Sequence, residues 1–302
     1  MNDLHVVSEN DELSTRNGSA VLRVALELQD AAKLSGKFAL IGGGKDKLVD
    51  LPGIVGVLES RRINGRFRPL VQIFDKAAKF FLGFSVQSPR IFQLEGTNFS
   101  HVYCHNQPWI GAIVRRKYVG SRVHLYVHNR VMVGASPISI RRALMQFDSV
   151  ICVSDFIRLD LMKRAGFKNR TASIVKFTTV FSGVDYDKYD QPLSKNVDEV
   201  DIVYVGRIIP EKGTHILAMS IQSISHDLLD AVRVVGGEGF LPRESLSEYE
   251  LGVVHALRDS SVRFTMTGPV PPNQIPDLIN SAKVIVVPSI CCLLYTSDAA
   301  DE

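Results

Sequence analysis

The sequence predicts an α/β protein made of two doubly wound units, each a mostly parallel sheet with helices between its strands. The chain opens in a strand–helix–strand order, with apolar runs at Leu4–Ser8 and Phe38–Ile41 on either side of apolar residues at helical spacing. Residues 186–199 are polar and turn-rich, which predicts a connection. A second strand–helix series begins at Asp201–Val205. We therefore expect a first domain over 1–190, a linker over 191–199 and a second domain over 200–291.

Length and composition are typical of a globular protein with two domains. The chain has 302 residues, of which 45% are hydrophobic and 22% are charged. It contains no apolar run of about 18 residues, and its N-terminus lacks the basic start of a signal peptide, so we expect neither a membrane span nor secretion. Cys104 and Cys152 lie in apolar strand-like runs without metal-ligand spacing. This predicts buried core cysteines and a reducing cytoplasm.

Charge is distributed unevenly along the chain. Residues 1–150 contain 20 Lys and Arg against 12 Asp and Glu, whereas the remainder contains 15 against 20. A basic first half indicates an anionic partner such as a membrane surface or a lipid-linked phosphate, although solvated basic faces explain the same count. We do not expect nucleic acid, because the sequence has no basic patch interleaved with aromatic residues and no nucleic-acid motif.

The first unit continues with a regular series of elements. The pattern predicts strands at Ile54–Leu58, Arg90–Leu94, His101–Cys104, His124–Val127 and Ser149–Val153, and helices at Val71–Phe84, Arg141–Phe147 and Phe156–Ala165. The Val71–Phe84 helix is amphipathic, and its Phe and Ile stripe favours a core-facing position. Contact with an anionic membrane, together with the basic loop at 61–69, is the alternative.

Two strands of the first unit end in the same polar pair. His105-Asn106 and His128-Asn129 both follow apolar strand residues. The carboxyl ends of strands form the ligand side of an open α/β sheet. The repetition predicts a site that includes His128, with a structural histidine as the alternative. The turn Asn17-Gly18-Ser19 precedes the first helix, where free backbone N–H groups suit an anion, although an ordinary capped helix start has the same sequence.

The second unit begins with a strand that ends at Gly206 and leads into a loop with two cations, Arg207 and Lys212. A helix follows from Thr214, so the loop lies where an anionic ligand binds in α/β sheets. Further strands are predicted at Ala231–Val235, Arg263–Met266 and Lys283–Val287, with a helix at Ile275–Ser281. The glycines at 236–239 read as a tight turn; they lack the spacing of a dinucleotide fingerprint, which excludes NAD.

Five motifs in order resemble those of family 4 glycosyltransferases, which are retaining enzymes of the GT-B fold. They are the Asn17-Gly18-Ser19 turn, FDSVICVS at 147–154, VFSGVD at 180–185, VGRIIPEKG at 205–213 and the segment 262–289. The resemblance covers nearly the whole chain. It implies two Rossmann-like domains that face each other across a cleft, the second of them incomplete.

The resemblance also implies roles for particular residues. Arg207 and Lys212 would hold the diphosphate of a nucleotide-sugar and stabilise the leaving group, with Gly18 and Gly206 supplying backbone to the same site. Pro269 and Val270 would border the nucleobase, and His128 would lie near the sugar. Two cations facing the departing charge make a metal unnecessary, so no metal or other cofactor is expected.

The sequence departs from the family pattern at its end. The family continues past the Pro288-Ser289 turn to two glutamates that contact the sugar and the ribose, and this chain does not. Residues 292–302 resemble a translated sequencing adapter. We therefore expect a truncated chain with weak or no activity, derived from an active parent.

Three functional classes fit these observations. The leading prediction is a glycosyltransferase that moves a sugar from a nucleotide-diphosphate sugar to a surface glycan or a lipid-linked precursor, in the cytoplasm and with peripheral contact to the membrane. A nucleotide-sugar epimerase of the same fold is the alternative, although the sequence offers no convincing pair of acid–base carboxylates. A fragment that only binds nucleotide is the third.

Overall fold

The computed structural model describes two separate compact units. The described residues are 3–8, 20–32, 38–41, 54–59, 67–88, 90–93, 98–167, 175–183, 186–190, 198–225, 227–239 and 243–290. Contacts within the chain place Met1–Ser14 and Ser19–Ser182 in the first unit and Gly183–Cys292 in the second. The predicted linker lies outside the described residues except for 198 and 199, and the predicted adapter tail lies wholly outside them.

The first unit is built on an eight-stranded sheet with the strand order β4-β3-β2-β1-β5-β6-β7-β8. Its strands are β1 (Asp3–Val6), β2 (Phe38–Ile41), β3 (Ile54–Glu59), β4 (Arg90–Gln93), β5 (His101–His105), β6 (Arg122–Val127), β7 (Ser149–Cys152) and β8 (Lys176–Thr179). Its helices are α1 (Ala20–Ala32), α2 (Arg68–Ala77), α3 (Gly111–Lys117), α4 (Pro137–Leu144) and α5 (Asp155–Arg164), and a π-helix (Ala78–Leu82) follows α2 directly. Strand pairs are parallel except β3 with β4. The order reverses between β1 and β5, which is the topological switch point of this sheet.

The core of this unit forms because apolar residues of its central strands share one face of the sheet. On β5 and β6, Val102, Cys104, Val123 and Leu125 are fully buried on one face. They belong to one apolar cluster with side chains from the following helices, including Ile140. Each such aliphatic side chain contributes about 1.5–3 kcal/mol when buried. The predicted burial of Cys104 and Cys152 is confirmed, since both are in this cluster and neither forms a disulfide.

Two helix predictions in the first unit need correction. Helix α4 begins at Pro137 instead of Arg141, because Ser136 caps it by accepting a hydrogen bond from the Ser139 N–H at 3.2 Å and Pro137 suits the first helical position. The core-facing position predicted for the 71–84 helix is wrong. Most apolar side chains of α2 and the π-helix are exposed, while Asp75 is buried.

The second unit is built on a four-stranded parallel sheet with the order β11-β10-β9-β12. Its strands are β9 (Val200–Val205), β10 (Ala231–Val235), β11 (Arg263–Gly268) and β12 (Ala282–Ile285), and its helices are α6 (Thr214–Ile221), α7 (Glu248–Arg258) and α8 (Ile275–Asn280). Helix α7 is an addition to the predicted elements. Its start is a capping box between Ser247 and Glu250. The switch point of this sheet lies between β9 and β12.

Candidate functional site

The loop after β9 carries both predicted cations and is fixed by its own strand. Tyr204 is buried on β9, and its hydroxyl donates a 2.6 Å hydrogen bond to the Arg207 carbonyl oxygen. A 3-10 turn at Pro210–Lys212 then leads through Gly213 into α6. The backbone between strand and helix is therefore held in one conformation at the carboxyl edge of the sheet.

Three loops meet at this edge through backbone hydrogen bonds. The Gly206 N–H donates to the Val235 oxygen at 2.9 Å, and the Ile208 N–H donates to the Gly237 oxygen at 2.9 Å. The Gly236 N–H donates to the Gly268 oxygen at 3.0 Å. The loops after β9, β10 and β11 therefore form one connected surface.

This surface contains a cavity of about 140 Å³. Four predicted site residues line it: Gly206, Arg207, Pro269 and Val270. Arg207 and the residues predicted to border the nucleobase thus line one cavity, as the family resemblance implied. The Arg207 side chain is exposed, and its Nε–H donates to the Glu238 carbonyl oxygen at 3.1 Å, which positions the guanidinium beside the cavity.

Lys212 is placed differently and does not line that cavity. It is the last residue of the 3-10 turn, directly before Gly213. Beside it, the Ile290 N–H donates to the Glu211 carbonyl oxygen at 3.1 Å, so the turn contacts the segment that follows β12. Lys212 therefore lies at the switch point of the sheet, where ligands of open α/β sheets bind.

The glycine-rich loop after β10 belongs to the same surface, which the sequence interpretation as a tight turn missed. Gly236, Gly237 and Gly239 line the cavity with Arg207. The Glu250 carboxylate holds this loop, because its Oε1 accepts a 2.8 Å hydrogen bond from the Glu238 N–H. The position of these glycines could have predicted this, because a loop that follows a parallel strand next to β9 lies at the same edge of the sheet as the loop after β9.

In the first unit, three histidines form a hydrogen-bonded chain across the switch point. His5 Nδ1 lies 2.9 Å from His105 Nε2, and His105 Nδ1 lies 2.8 Å from His128 Nε2. The backbone N–H of His128 donates to Asn106 Oδ1 at 2.8 Å. His128 is therefore one end of a chain that begins on β1. In a neutral chain each imidazole carries one N–H, so the three rings must adopt matching tautomers.

Burial keeps these three imidazoles neutral. It lowers the pKa of His5 to about 3 and that of His128 to about 4. The pKa of His105 is lowered well below its usual value by burial and then by its two histidine neighbours. Protonation of the folded first unit is therefore unfavourable at every member of the chain.

The three hydrogen-bonded histidines predict that the first unit loses stability in mild acid. Between the ordinary histidine pKa of 6.5 and the folded value of about 4 for His128, the unfolded state binds more protons than the folded state. The contribution of the neutral imidazoles to the free energy of unfolding is thus fully present above pH 6.5. It falls as the pH falls, by up to about 1.4 kcal/mol per pH unit for each imidazole. We expect the unfolding free energy of the first unit, measured in urea, to decrease from about pH 7 to about pH 5.

Two variants test the origin of this slope. His128→Gln removes one titrating imidazole and should flatten the dependence on pH. His255→Gln changes an exposed histidine on α7 and should leave the slope as in the unchanged protein. Equal slopes for all three proteins would contradict the assignment.

Gly18 lies outside the described residues, so the structure gives no position for it. Within the described ranges, no three His, Cys, Asp or Glu side chains come together as a potential metal site. None of the described helices has the length and apolar character that a membrane span requires.

Comparison with solved structures identifies the fold. Sucrose-phosphate synthase from Thermosynechococcus elongatus matches with a TM-score of 0.63 at 15% identity, covering 96% of this chain and 76% of that one. Anabaena Alr3699/HepE in complex with UDP matches with a TM-score of 0.59 at 15% identity, covering 96% and 75%. The fold is GT-B. The crystal structure of HepE with UDP-glucose is a further GT-B match, with a TM-score of 0.53 at 15% identity over 93% of this chain and 72% of that one.

Sequence comparison agrees with this GT-B assignment. Residues 185–291, most of the second unit, match the family model described as glycosyl transferases group 1. YtcC, a protein of Bacillus subtilis (strain 168) that is named as a glycosyltransferase, is 25% identical over 218 residues. The match covers 65% of this chain and 51% of YtcC, so it spans about half the length of that relative.

Proposed function

We propose that this GT-B chain belongs to an enzyme that transfers a sugar from a nucleotide-diphosphate sugar to an acceptor. The observation that carries the proposal is the surface at the carboxyl edge of the second sheet, where Arg207 borders a glycine-lined cavity and Lys212 lies at the switch point. Cations beside a glycine-lined cavity at this edge suit a diphosphate.

Each predicted residue has a role in this proposal. Arg207 and Lys212 bind the diphosphate and stabilise the charge that develops on the leaving group. Pro269 and Val270 border the nucleobase, and Gly206 allows the diphosphate to approach the backbone. Because two cations can neutralise the leaving group, we propose that no metal takes part.

His128 and Gly18 belong to the same proposal. We place the His128 imidazole near the transferred sugar and the Gly18 backbone near the diphosphate, as the motifs imply. The family 4 assignment, the transfer of a hexose and the retention of configuration are parts of this proposal. Weak or absent transfer by the present chain stays a prediction.

Two comparisons support the donor class. The second unit matches a glycosyltransferase family model over residues 185–291. HepE, which shares the fold, was crystallised with UDP and with UDP-glucose. We propose a nucleotide-diphosphate sugar as donor and a glycan or lipid-linked precursor as acceptor, in the cytoplasm with peripheral contact to a membrane.

Calorimetric titration of this chain with UDP, GDP and ADP tests the donor site without requiring transfer. We expect saturable binding of at least one nucleotide, and a loss of at least about tenfold in affinity for Arg207→Ala. Lys283→Ala is the matched control, because Lys283 pairs with Asp201 at 2.7 Å on β12 and β9 and lines no described cavity. No binding by any of the three nucleotides would contradict the proposal.

A further inference from the structure

The segment from α2 through the π-helix turns its apolar side toward solvent. Leu70, Ile73, Phe74 and Phe81, here called the apolar stripe, follow helical spacing and are between 55% and 68% exposed. On the inward side, Asp75 is only 5% exposed. An amphipathic helix in a globular protein normally buries such a stripe, so its exposure indicates an interaction surface.

Polar contacts hold the helix in this orientation. The buried Asp75 carboxylate accepts a 2.6 Å hydrogen bond from Ser85 Oγ and a 3.2 Å bond from the Gln87 N–H. It also forms a 2.6 Å ion pair with Lys79. Burial alone would raise the pKa of Asp75, but these partners outweigh it and hold the pKa below its usual value. The inward face of α2 is therefore held by the Asp75 carboxylate, whose charge is paired and hydrogen-bonded.

Helix α4 fixes the end of the π-helix in the same way. Ser136 Oγ donates to the Phe80 carbonyl oxygen at 2.6 Å, and Arg142 Nη1 donates to the Phe81 carbonyl oxygen at 3.1 Å. Ser139 Oγ donates to the Lys79 carbonyl oxygen. These bonds satisfy carbonyl groups that a helix end leaves without partners. The exposed aromatic side chains thus project from a rigid support.

Exposed cations lie on α2 itself and on α3 and α4. Arg68 and Lys76 on α2, Arg116 on α3 and Arg142 on α4 are all exposed. In the part of the chain that the structure describes, none of these four side chains forms an ion pair. The surface therefore combines exposed apolar side chains with positive charge that is not neutralised.

A cavity of about 810 Å³ adjoins the end of the π-helix, where Leu82, the residue after Phe81 of the stripe, lines it. Its lining is mostly apolar and includes Leu82, Phe84, Trp109 and Met145. Arg116 and Arg142 also line it, and the Arg142 guanidinium is held by its bond to the π-helix. An apolar cavity with guanidinium groups at its wall fits an amphiphile whose head group is a phosphate.

We propose that the apolar stripe and these exposed cations dock the first unit on an anionic phospholipid bilayer. The stripe enters the interface between head groups and acyl chains, and Arg116 and Arg142 bind a lipid phosphate at the adjoining cavity. This combination of apolar and cationic side chains is the one that binds anionic bilayer surfaces. The proposal does not depend on nucleotide binding by the second unit.

Charge favours a bilayer over a second copy of this chain as the occupant. Pairing the stripe with itself would bring Arg68, Lys76 and Arg116 of one copy against the same residues of the other. Like charges in contact disfavour that arrangement, whereas lipid phosphates neutralise them.

Co-sedimentation with vesicles tests the proposal on the full chain. We expect binding to phosphatidylcholine vesicles that contain about one third phosphatidylglycerol, and release when salt screens the charge. Ile73→Ser combined with Phe74→Ser should weaken binding at least tenfold. Arg116→Gln should weaken binding to the anionic vesicles and leave the weak binding to pure phosphatidylcholine unchanged.

Met219→Ser combined with Leu251→Ser is the matched control. It removes two exposed apolar side chains from α6 and α7 of the second unit and should bind like the unchanged protein. Equal binding by the stripe variant and the control would overturn the proposal, as would an unchanged protein that stays in the supernatant. Concentration-dependent dimerisation that the stripe variant abolishes would also overturn it, because it would assign the surface to a second copy. Nucleotide titration of the same variants should be unaffected.

Discussion

Replacing Arg207 or Lys212 with alanine is expected to lower sugar transfer by at least about 100-fold in the full-length gene product. Both cations act on charge that builds up as the diphosphate departs, so their loss should reduce kcat more than it raises KM. The Arg207 guanidinium lies beside the glycine-lined cavity, and Lys212 lies at the switch point, so neither can replace the other.

Conservative variants separate charge from geometry. Arg207→Lys keeps the charge and loses the planar set of donors, so we expect an intermediate activity. Lys283→Ala removes a lysine from the amino-terminal side of the same sheet and should transfer sugar at nearly the unchanged rate. Undiminished transfer by both alanine variants would remove the basis of the proposed function.

Replacing Gly236 with alanine is expected to destabilise the second unit by about 3 kcal/mol or more. Gly236 has a φ of +126°, and a Cβ added there would lie 1.9 Å from the Gly206 carbonyl oxygen. That oxygen is backbone, so the loops after β9 and β10 would have to separate. Because these loops form the cavity that contains Arg207, nucleotide binding should be lost together with stability.

Gly252→Ala is the control for this prediction. Gly252 lies within α7, and apart from its chain neighbours and the backbone of its own helix no atom lies within 4 Å of a Cβ added there. Alanine at an exposed position inside a helix should stabilise the unit by about 0.5–1 kcal/mol. Urea denaturation followed by circular dichroism measures both changes. Equal destabilisation by the two variants would show that the close approach at Gly236 is not responsible.

Much of the site was predictable because it depends on strand ends. Once β9 ends at Val205, the next residues must lie at the carboxyl edge of a parallel sheet, which places Arg207 and Lys212 there. The same reasoning marked His128 in the first unit. These inferences needed only the order of elements, and order can be inferred from apolar periodicity.

Other parts of the site depend on residues far apart in sequence. His5 and His105 are 100 positions apart, and only the pairing of β1 with β5 brings their rings to 2.9 Å. The glycine loop after β10 is recognised as part of the site only from its backbone hydrogen bonds to the loop after β9. Local sequence gives no information about such distant neighbours.

The sequence by itself determined the two α/β units, the cation loop after β9 and the buried cysteines. It did so because strand alternation, helical spacing and glycine turns are local properties of the chain. Only the tertiary structure decided which way the α2 segment faces. The periodicity of α2 shows that its apolar residues share one face, but it does not show whether that face points to the core or to solvent. The buried Asp75 and the hydrogen bonds from α4 turn the stripe toward solvent. Direction is a property of packing between elements, and periodicity within one element cannot specify it.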